Sequence, residues 1–335
     1  MATITLPSAM QSWIEEAAGA AVTSAVRQAG GGRNEGWLID LADGRRQFLR
    51  WDRSDPDETG DPWTVRREAT VYRALSGTGA RVAEFIGMHP TEQAVLLGVV
   101  DGDARFSLIA DPEVAAAVAG DFMRCLATVH GLDAVALGIV EAGRSVADCT
   151  RDQLAEMHGV IARRGGTPTA ELGIALRWLA DHVPAYDGPP VLVQGDTGPG
   201  NFMFRGDQVA AIVDWELAHP GDPMDDLAWV SLRSTQEPFP DLPGLFQEYA
   251  EVSGNAIDLD RIRYYRVLAE AKIAVMGHGR GGSGDDGDGG DTGARLIFGQ
   301  LHRRLLVEAL GAAMGIDVDT TTVDVPSEAA ERPEW

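Results

Sequence analysis

Three small oxygen-bearing side chains recur at short spacing in the middle of the chain, each just after an apolar run: Asp196, Asn201 and Asp214. The first run reads Val-Leu-Val-Gln-Gly-Asp-Thr-Gly-Pro-Gly-Asn-Phe-Met-Phe from Val191, and Ile-Val-Asp-Trp-Glu follows from Ile212. Asp196 and Asn201 flank a loop containing Gly198, Pro199 and Gly200, and Asp214 comes after a further apolar segment. Any one of them alone would be read as a turn or helix cap. Together they match what phosphoryl transfer needs: a carboxylate to orient an attacking hydroxyl and take its proton, and oxygen ligands to hold Mg²⁺ on nucleotide phosphates. Asp196 suits the first task, Asn201 and Asp214 the second.

Such a constellation must be carried by short strands and loops, and the surrounding pattern supplies them. Pro190 to Val193, Phe202 to Phe204 and Gln208 to Val213 are brief apolar runs bounded by Gly, Asp and Asn, the mark of small strands around functional loops. Upstream, Ser8 to Ala18 reads as a helix with Ser8 as N-cap. Two alternating runs at Trp37–Ile39 and Phe48–Trp51 are separated by Asp43-Gly44, a strong hairpin signal. A helix is expected over Thr64–Leu75, then strands within Arg81–Met88 and Ala94–Val100. Beyond Gly102 the 3.6-residue period dominates, in Pro112–Val129, Asp152–Arg163, Glu171–His182, from Leu227, in Asp260–Val275 and in Ala294–Met314. Gly279 to Gly293 is Gly- and Asp-rich and reads as a solvated loop, since the ligand spacing and closing Glu of a calcium loop are missing.

Composition narrows the functional classes. With 335 residues and 44% hydrophobic content the chain can bury one large core or two medium ones. Its 28 basic and 51 acidic residues give a net charge of −23, which opposes nucleic acid and anionic membranes as partners. Residues 1–101 carry only −4 of this, so the acidity belongs to the remainder. Lys272 is the sole lysine, so cationic tasks elsewhere fall to arginine. Cys125 and Cys149 form no C-x-x-C pair and read as ordinary buried or half-buried thiols. Met1 to Pro7 lack a basic stretch leading into an apolar core, and no long apolar run follows, so a cytoplasmic location is expected.

The segment from Gln194 to Trp229 resembles the signature H-G-D-x-x-x-x-N followed by I-D-W/F-E of the aminoglycoside phosphotransferase and choline kinase superfamily. It is most similar to the phosphotransferase subfamily related to the kinase-like domain of acyl-CoA dehydrogenase family proteins, where D-W-E-x-x-x-x-G-D-P-x-x-D-L-A-W recurs; Asp214 to Trp229 match every named position. The resemblance implies an α+β, protein-kinase-like bilobal fold. A small antiparallel-sheet lobe would span residues 1–101, with a hinge near 97–102, a helical lobe 102–315 and an acidic flexible tail 316–335. It also implies ATP and Mg²⁺ as cofactors and a small-molecule hydroxyl compound as phosphate acceptor.

The remaining site residues follow from that likeness. Gly31, Gly32, Arg33 and Asn34 lie in a glycine-rich stretch like the family's phosphate-covering loop. Arg50 stands where kinases usually carry the phosphate-binding Lys, and Glu68 at the position that pairs with that cation. Gly98 and Val100 would meet the adenine edge through backbone atoms. Asp222 and Asp226 would brace the catalytic loop and cap the next helix, with Asp225 a solvent-facing neighbour, and His130 a packed structural residue. One departure is Gln194 in place of the family His, an amide that can still donate and accept hydrogen bonds. Two acceptor classes fit, a cationic polyhydroxylated compound or a hydroxyacyl metabolite; a nucleotide-binding pseudokinase is the rival reading that Gln194 suggests.

Overall fold

The computed structural model describes residues 6–28, 34–54, 61–279 and 292–316. The Gly/Asp-rich stretch from 280 to 291 and the tail from 317 therefore lie outside the described residues, as do Gly31, Gly32 and Arg33. The architecture is the expected α+β, kinase-like bilobal one: a five-stranded antiparallel sheet followed by a mainly helical part.

In the first part, helix α1 (Ser8–Ala18) precedes strands β1 (Val22–Arg27), β2 (Glu35–Leu41) and β3 (Arg46–Asp52). Helix α2 (Val65–Leu75) and strands β4 (Phe85–Met88) and β5 (Gln93–Gly98) complete it, in sheet order β1-β2-β3-β5-β4. The Asp43-Gly44 turn joins β2 to β3, and Gly44 takes φ 87°, a conformation glycine adopts at little cost. Ser8 proves to be the first helical residue rather than the cap; Pro7 precedes it, and no side chain caps the helix. Strand alternation separates the two faces of the sheet. Trp37, Ile39, Leu49, Trp51 and Leu96 pack against Met10, Ile14 and Ala18 of α1. Val95 and Leu97 face the other way, with Ala69, Tyr72 and Leu75 of α2. Arg50 lies between Leu49 and Trp51, so the pleat that buries those two beneath α1 turns Arg50 toward α2. Each large α1 side chain buried this way contributes about 1.5–3 kcal/mol.

The second part holds α3 (Pro112–His130), α4 (Val146–Arg164), α5 (Ala170–Asp181), α6 (Pro223–Arg233), α7 (Leu242–Ser253), α8 (Leu259–Gly277) and α9 (Thr292–Ala313). Two small antiparallel pairs interrupt them: β6 (Val191–Val193) with β9 (His219–Gly221), and β7 (Phe202–Arg205) with β8 (Gln208–Ile212). Their hydrophobic core is continuous with the α2 side of the sheet. Both the first part and the chain leaving it are pinned to the small pairs: Ile212 N–H donates to Arg81 C=O at 2.8 Å, and Asp103 exchanges two 2.9 Å bonds with Phe204. A Cβ at Gly102 would stand 2.7 Å from the Phe204 carbonyl oxygen, so this crossing is passable only to glycine.

Candidate active site

Asp196 and Asn201 sit on the loop between β6 and β7, and Asp214 follows β8. Strand pairing brings the two loops side by side, and the Val213 N–H donates to the Asn201 carbonyl at 3.0 Å. Asn201 turns its Nδ2 onto Asp196, 2.7 Å from both the backbone carbonyl and Oδ2. Its Oδ1 has no hydrogen-bond partner among the described residues. Burial raises the pKa of the Asp196 carboxyl, against the opposing pull of Arg233 and Asn201. Gly195 admits no side chain here: its φ is 84°, and a Cβ would meet the Leu217 carbonyl oxygen at 2.5 Å.

Gln194 performs the bracing its position requires. Its Nε2 donates to the carbonyls of Val213 (3.0 Å) and Asp214 (2.6 Å), and its Oε1 accepts from the Asp196 N–H at 2.8 Å. One fully buried amide thus ties the loop of Asp196 to the loop of Asp214. Asp226 secures the same loop from beneath. It accepts from the N–H groups of Gln194 and Gly195, at 2.8 and 2.9 Å, from the Thr197 hydroxyl, and from His130 Nε2 at 2.9 Å. Burial opposes its charge, but these donors outweigh that and hold its pKa below the usual carboxylate range. His130 is packed, with Nδ1 on the Tyr249 hydroxyl at 2.7 Å. Asp222 caps α6 through the Met224 N–H and pairs with Arg261. Asp225, expected at the surface, is buried instead; β9 brings His219 Nε2 to within 3.0 Å of its Oδ2.

On the sheet side, Arg50 and Glu68 form the expected ion pair, Nε to Oε2 at 3.0 Å. Arg50 Nη2 also reaches Asp214 Oδ1 and Glu216 Oε2, each at 2.9 Å. Burial works against the Arg50 charge, yet the three carboxylates prevail and raise its pKa. Glu68 is fully buried and lies above its ordinary pKa, because burial and the neighbouring Asp214 and Glu216 outweigh Arg50. Asn34 donates to Glu216 Oε2 at 2.8 Å, so the end of the glycine-rich stretch is tied to the same carboxylate. Asp214 adopts φ 63°, one of two positive-φ non-glycine residues among those described. Its Oδ2 has no hydrogen-bond partner among the described residues.

This donor set suits Mg²⁺. Asn201 Oδ1 and Asp214 Oδ2 are hard oxygens in adjoining loops. Among the described residues no cluster of three His, Cys, Asp or Glu could hold a metal. A cation here would take its remaining ligands from phosphate and water, as Mg²⁺ commonly does.

Gly98 can serve the expected adenine edge only through its carbonyl. Its N–H is committed to the Glu84 carbonyl at 2.8 Å within the sheet, so it has no free amide to offer a base edge. Val100, just beyond β5, keeps an N–H without a partner among the described residues. Two residues with no assigned role enter the site: Glu216, which joins Arg50 to Asn34, and Arg233 of α6. Arg233 grips Asp196 with Nε on Oδ1 at 2.8 Å and Nη2 on Oδ2. The D-W-E run at Asp214 to Glu216, which recurs in the resembling subfamily, was a usable signal for Glu216. Arg233, 37 residues from Asp196, had none.

Comparison with known proteins agrees with this geometry. The phosphotransferase enzyme family matches residues 25–265. Acyl-CoA dehydrogenase family member 11 of Rattus norvegicus is 32% identical over 186 residues, and that of Gallus gallus 28% over 178. Each alignment covers 50% of this chain but only 23% and 22% of those relatives, respectively, so the chain spans under a quarter of their length. In structure, a protein of Ralstonia eutropha described as an aminoglycoside phosphotransferase superposes with a TM-score of 0.68 at 20% identity, covering 92% of this chain and 98% of its own. The macrolide 2'-phosphotransferase MphH of Brachybacterium faecium gives 0.58 at 18%, covering 91% and 98%. From its sequence, its fold and the arrangement of Asp196, Asn201 and Asp214, this chain belongs to the phosphotransferase enzyme family.

Proposed function

We propose that the protein is an ATP-dependent small-molecule kinase that transfers the γ-phosphoryl group to a hydroxyl, with the nucleotide lying between the lobes 1–101 and 102–315. The observation that carries this reading is that Gln194 ties Asp196 to Asp214 while Asn201 donates to Asp196, so one carboxylate for a hydroxyl proton sits in the same cluster as two side-chain oxygens, Asn201 Oδ1 and Asp214 Oδ2, without partners among the described residues. Asp196 would orient the acceptor hydroxyl and receive its proton, and Asn201 and Asp214 would hold Mg²⁺. Bound there, Mg²⁺ would neutralise phosphate charge as it moves toward the leaving group. Arg50, fixed by Glu68, would present its guanidinium to the phosphates, with Asn34 and Glu216 setting the distance of the covering loop. Catalysis in this arrangement consists of positioning and charge neutralisation. The solved phosphotransferase APH(4)-Ia, similar in fold at a TM-score of 0.59, forms a ternary complex with ADP and hygromycin B; nucleotide use here is inferred alongside that precedent.

The pseudokinase alternative loses its motive, because Gln194 makes the hydrogen bonds a loop brace needs. None of the helices described is long and apolar enough to cross a membrane, and a cytoplasmic setting is part of the proposal. The test is a screen of hydroxyl compounds for Mg²⁺-dependent ATP consumption, with phosphorylated product identified by mass. Absence of Mg²⁺-dependent nucleotide binding and of slow ATP hydrolysis would defeat the kinase reading.

A further inference from the structure

Arg233 has no part in the roles assigned above, yet it touches both oxygens of the proposed base. It ends α6, and its stem crosses the catalytic loop so closely that a Cβ at Gly198 would lie 2.7 Å from the Arg233 Cβ. The guanidinium is thus held in place rather than trailing in solvent; its side chain is 28% exposed. Nε and one N–H of Nη2 are spent on Asp196, whereas Nη1 has no partner among the described residues and lies toward Gly200. Arg50, the cation on the nucleotide side, is already shared among Glu68, Asp214 and Glu216. Glu237, the acidic residue one helical turn beyond Arg233, is engaged by the Ser107 N–H.

Asp196 Oδ1 accepts only from Arg233 Nε among the described residues, so a second lone pair remains on it for an acceptor hydroxyl while the pair with Arg233 is kept. The guanidinium then still offers the N–H groups of Nη1 and the second N–H of Nη2, half-buried and next to the hydroxyl's place on Asp196. A planar fork of donors in that position matches a carboxylate or phosphate bidentately. A cationic acceptor would meet a like charge there, and a neutral one would leave the donors unpaired.

Building on the phosphotransfer reading, we propose that Arg233 is the acceptor-recognising residue and that the acceptor is a hydroxyl compound carrying an oxyanion group, carboxylate or phosphate, near the reacting hydroxyl. The oxyanion docks on Arg233 and the hydroxyl on Asp196. The acceptor oxygen then bonds to the γ-phosphorus of ATP while the bond to the β,γ-bridging oxygen breaks. ADP leaves with that electron pair, and the hydroxyl proton passes to Asp196. The acidity of the helical part points the other way, toward cations; a local contact with the base outranks a diffuse surface charge screened beyond roughly 8 Å.

The test uses the full chain and a charge-matched series: glycerate and glycerol 3-phosphate as the two anionic arms, glycerol as the neutral one, and 2-aminopropane-1,3-diol as the cation. Affinities are measured by ligand-observed NMR with and without MgADP. At least one anionic arm is expected to bind tenfold or more tightly than the neutral and cationic members, and the tighter arm identifies the oxyanion. Arg233→Gln should erase that preference and Arg233→Lys retain part of it. Asp196→Asn, which removes the competing carboxylate charge, should tighten anionic binding several-fold; a purely structural Arg233 gives no such gain. Equal or tighter binding of the neutral or cationic member, retained preference in Arg233→Gln, or no binding across the series overturns the proposal. MgADP binding by the wild-type chain, read in the same experiment, isolates the kinase reading: its loss sinks that reading, whereas MgADP binding with a flat series sinks only the acceptor assignment.

Discussion

Gln194 offers a sharp test of how the catalytic machinery is held together, because its neighbours specify which atom must donate and which accept. Nε2 donates to two partly buried carbonyls and Oε1 accepts from one amide. Gln194→Leu keeps most of the volume and deletes all three bonds. Each buried polar group left unpaired costs about 1–3 kcal/mol, and partial loop relaxation reduces the sum, so a loss of about 2–5 kcal/mol is expected. Gln194→Glu is isosteric and should be worse at neutral pH, since a carboxylate oxygen replaces the donor and faces the Val213 and Asp214 carbonyls directly. Protonation returns a donor, so the Glu variant should recover toward wild type as pH falls, while the Leu variant does not. Gln194→His, with one donor and one acceptor in the neutral ring, should keep turnover within about tenfold, or about 1.4 kcal/mol. Urea denaturation across pH, paired with ATP turnover, measures all of this. A Leu variant within about 0.5 kcal/mol of wild type, or a Glu variant insensitive to pH, would refute the brace.

Other outcomes follow from the same geometry. Asp196→Asn should leave MgATP affinity nearly intact and cut turnover on the order of a hundredfold or more, whereas Asp214→Ala should weaken both, with calorimetry and steady-state assays separating them. Asn201→Ala should lower nucleotide affinity more mildly, because a neutral ligand is lost. Arg50→Ala should weaken nucleotide binding and destabilise the fold by about 1–3 kcal/mol, the loss of the buried pair being softened because Glu68, already raised to about 8 by burial, can take a proton, with Arg50→Lys intermediate; unchanged ATP affinity would remove Arg50 from the site. Since burial raises the Asp196 pKa, the carboxyl protonates above the usual carboxylate range as pH falls. Turnover should therefore decline there, on an acid limb that Asp196→Asn abolishes. Cys125, pushed up to about 11 by burial, should resist iodoacetamide at pH 8 until the protein unfolds, and prompt labelling of native protein would contradict its placement.

The candidate catalytic segment was legible because its geometry is local: Asp196 and Asn201 lie five positions apart, and the strands flanking them are short and apolar. The long helices were equally plain from their period. What escaped depended on distant partners or on weak alternation. Strand β1, Val-Thr-Ser-Ala-Val-Arg, lies at the sheet edge with its side chains half-buried or exposed, so no two-residue pattern marks it. Strand β9 is only His-Pro-Gly, and α7 opens with Leu-Pro-Gly, which reads as a loop although Asp241 caps it. Asp225 looked like a surface acid because its partner, His219, belongs to that unread strand. Arg233 ends a helix, where arginine is common simply because it complements the helix dipole. At the hinge, likeness can place Gly98 and Val100, but which of their amides is consumed, as that of Gly98 is by the Glu84 carbonyl, is settled by pairing.

The left-handed backbone of Asp214 carries a consequence for how this protein would respond to selection. A non-glycine residue at φ 63° costs of order 1 kcal/mol or more relative to glycine, a cost kept only where something other than stability demands the side chain. Libraries screened for heat resistance alone should therefore enrich Gly or Asn at position 214, yielding proteins that survive higher temperatures and no longer turn over. Screens that also require phosphorylated product should hold Asp at that position in every survivor. Robustness and chemistry would thus pull one residue in opposite directions, and the sorted populations would record the conflict in a single codon.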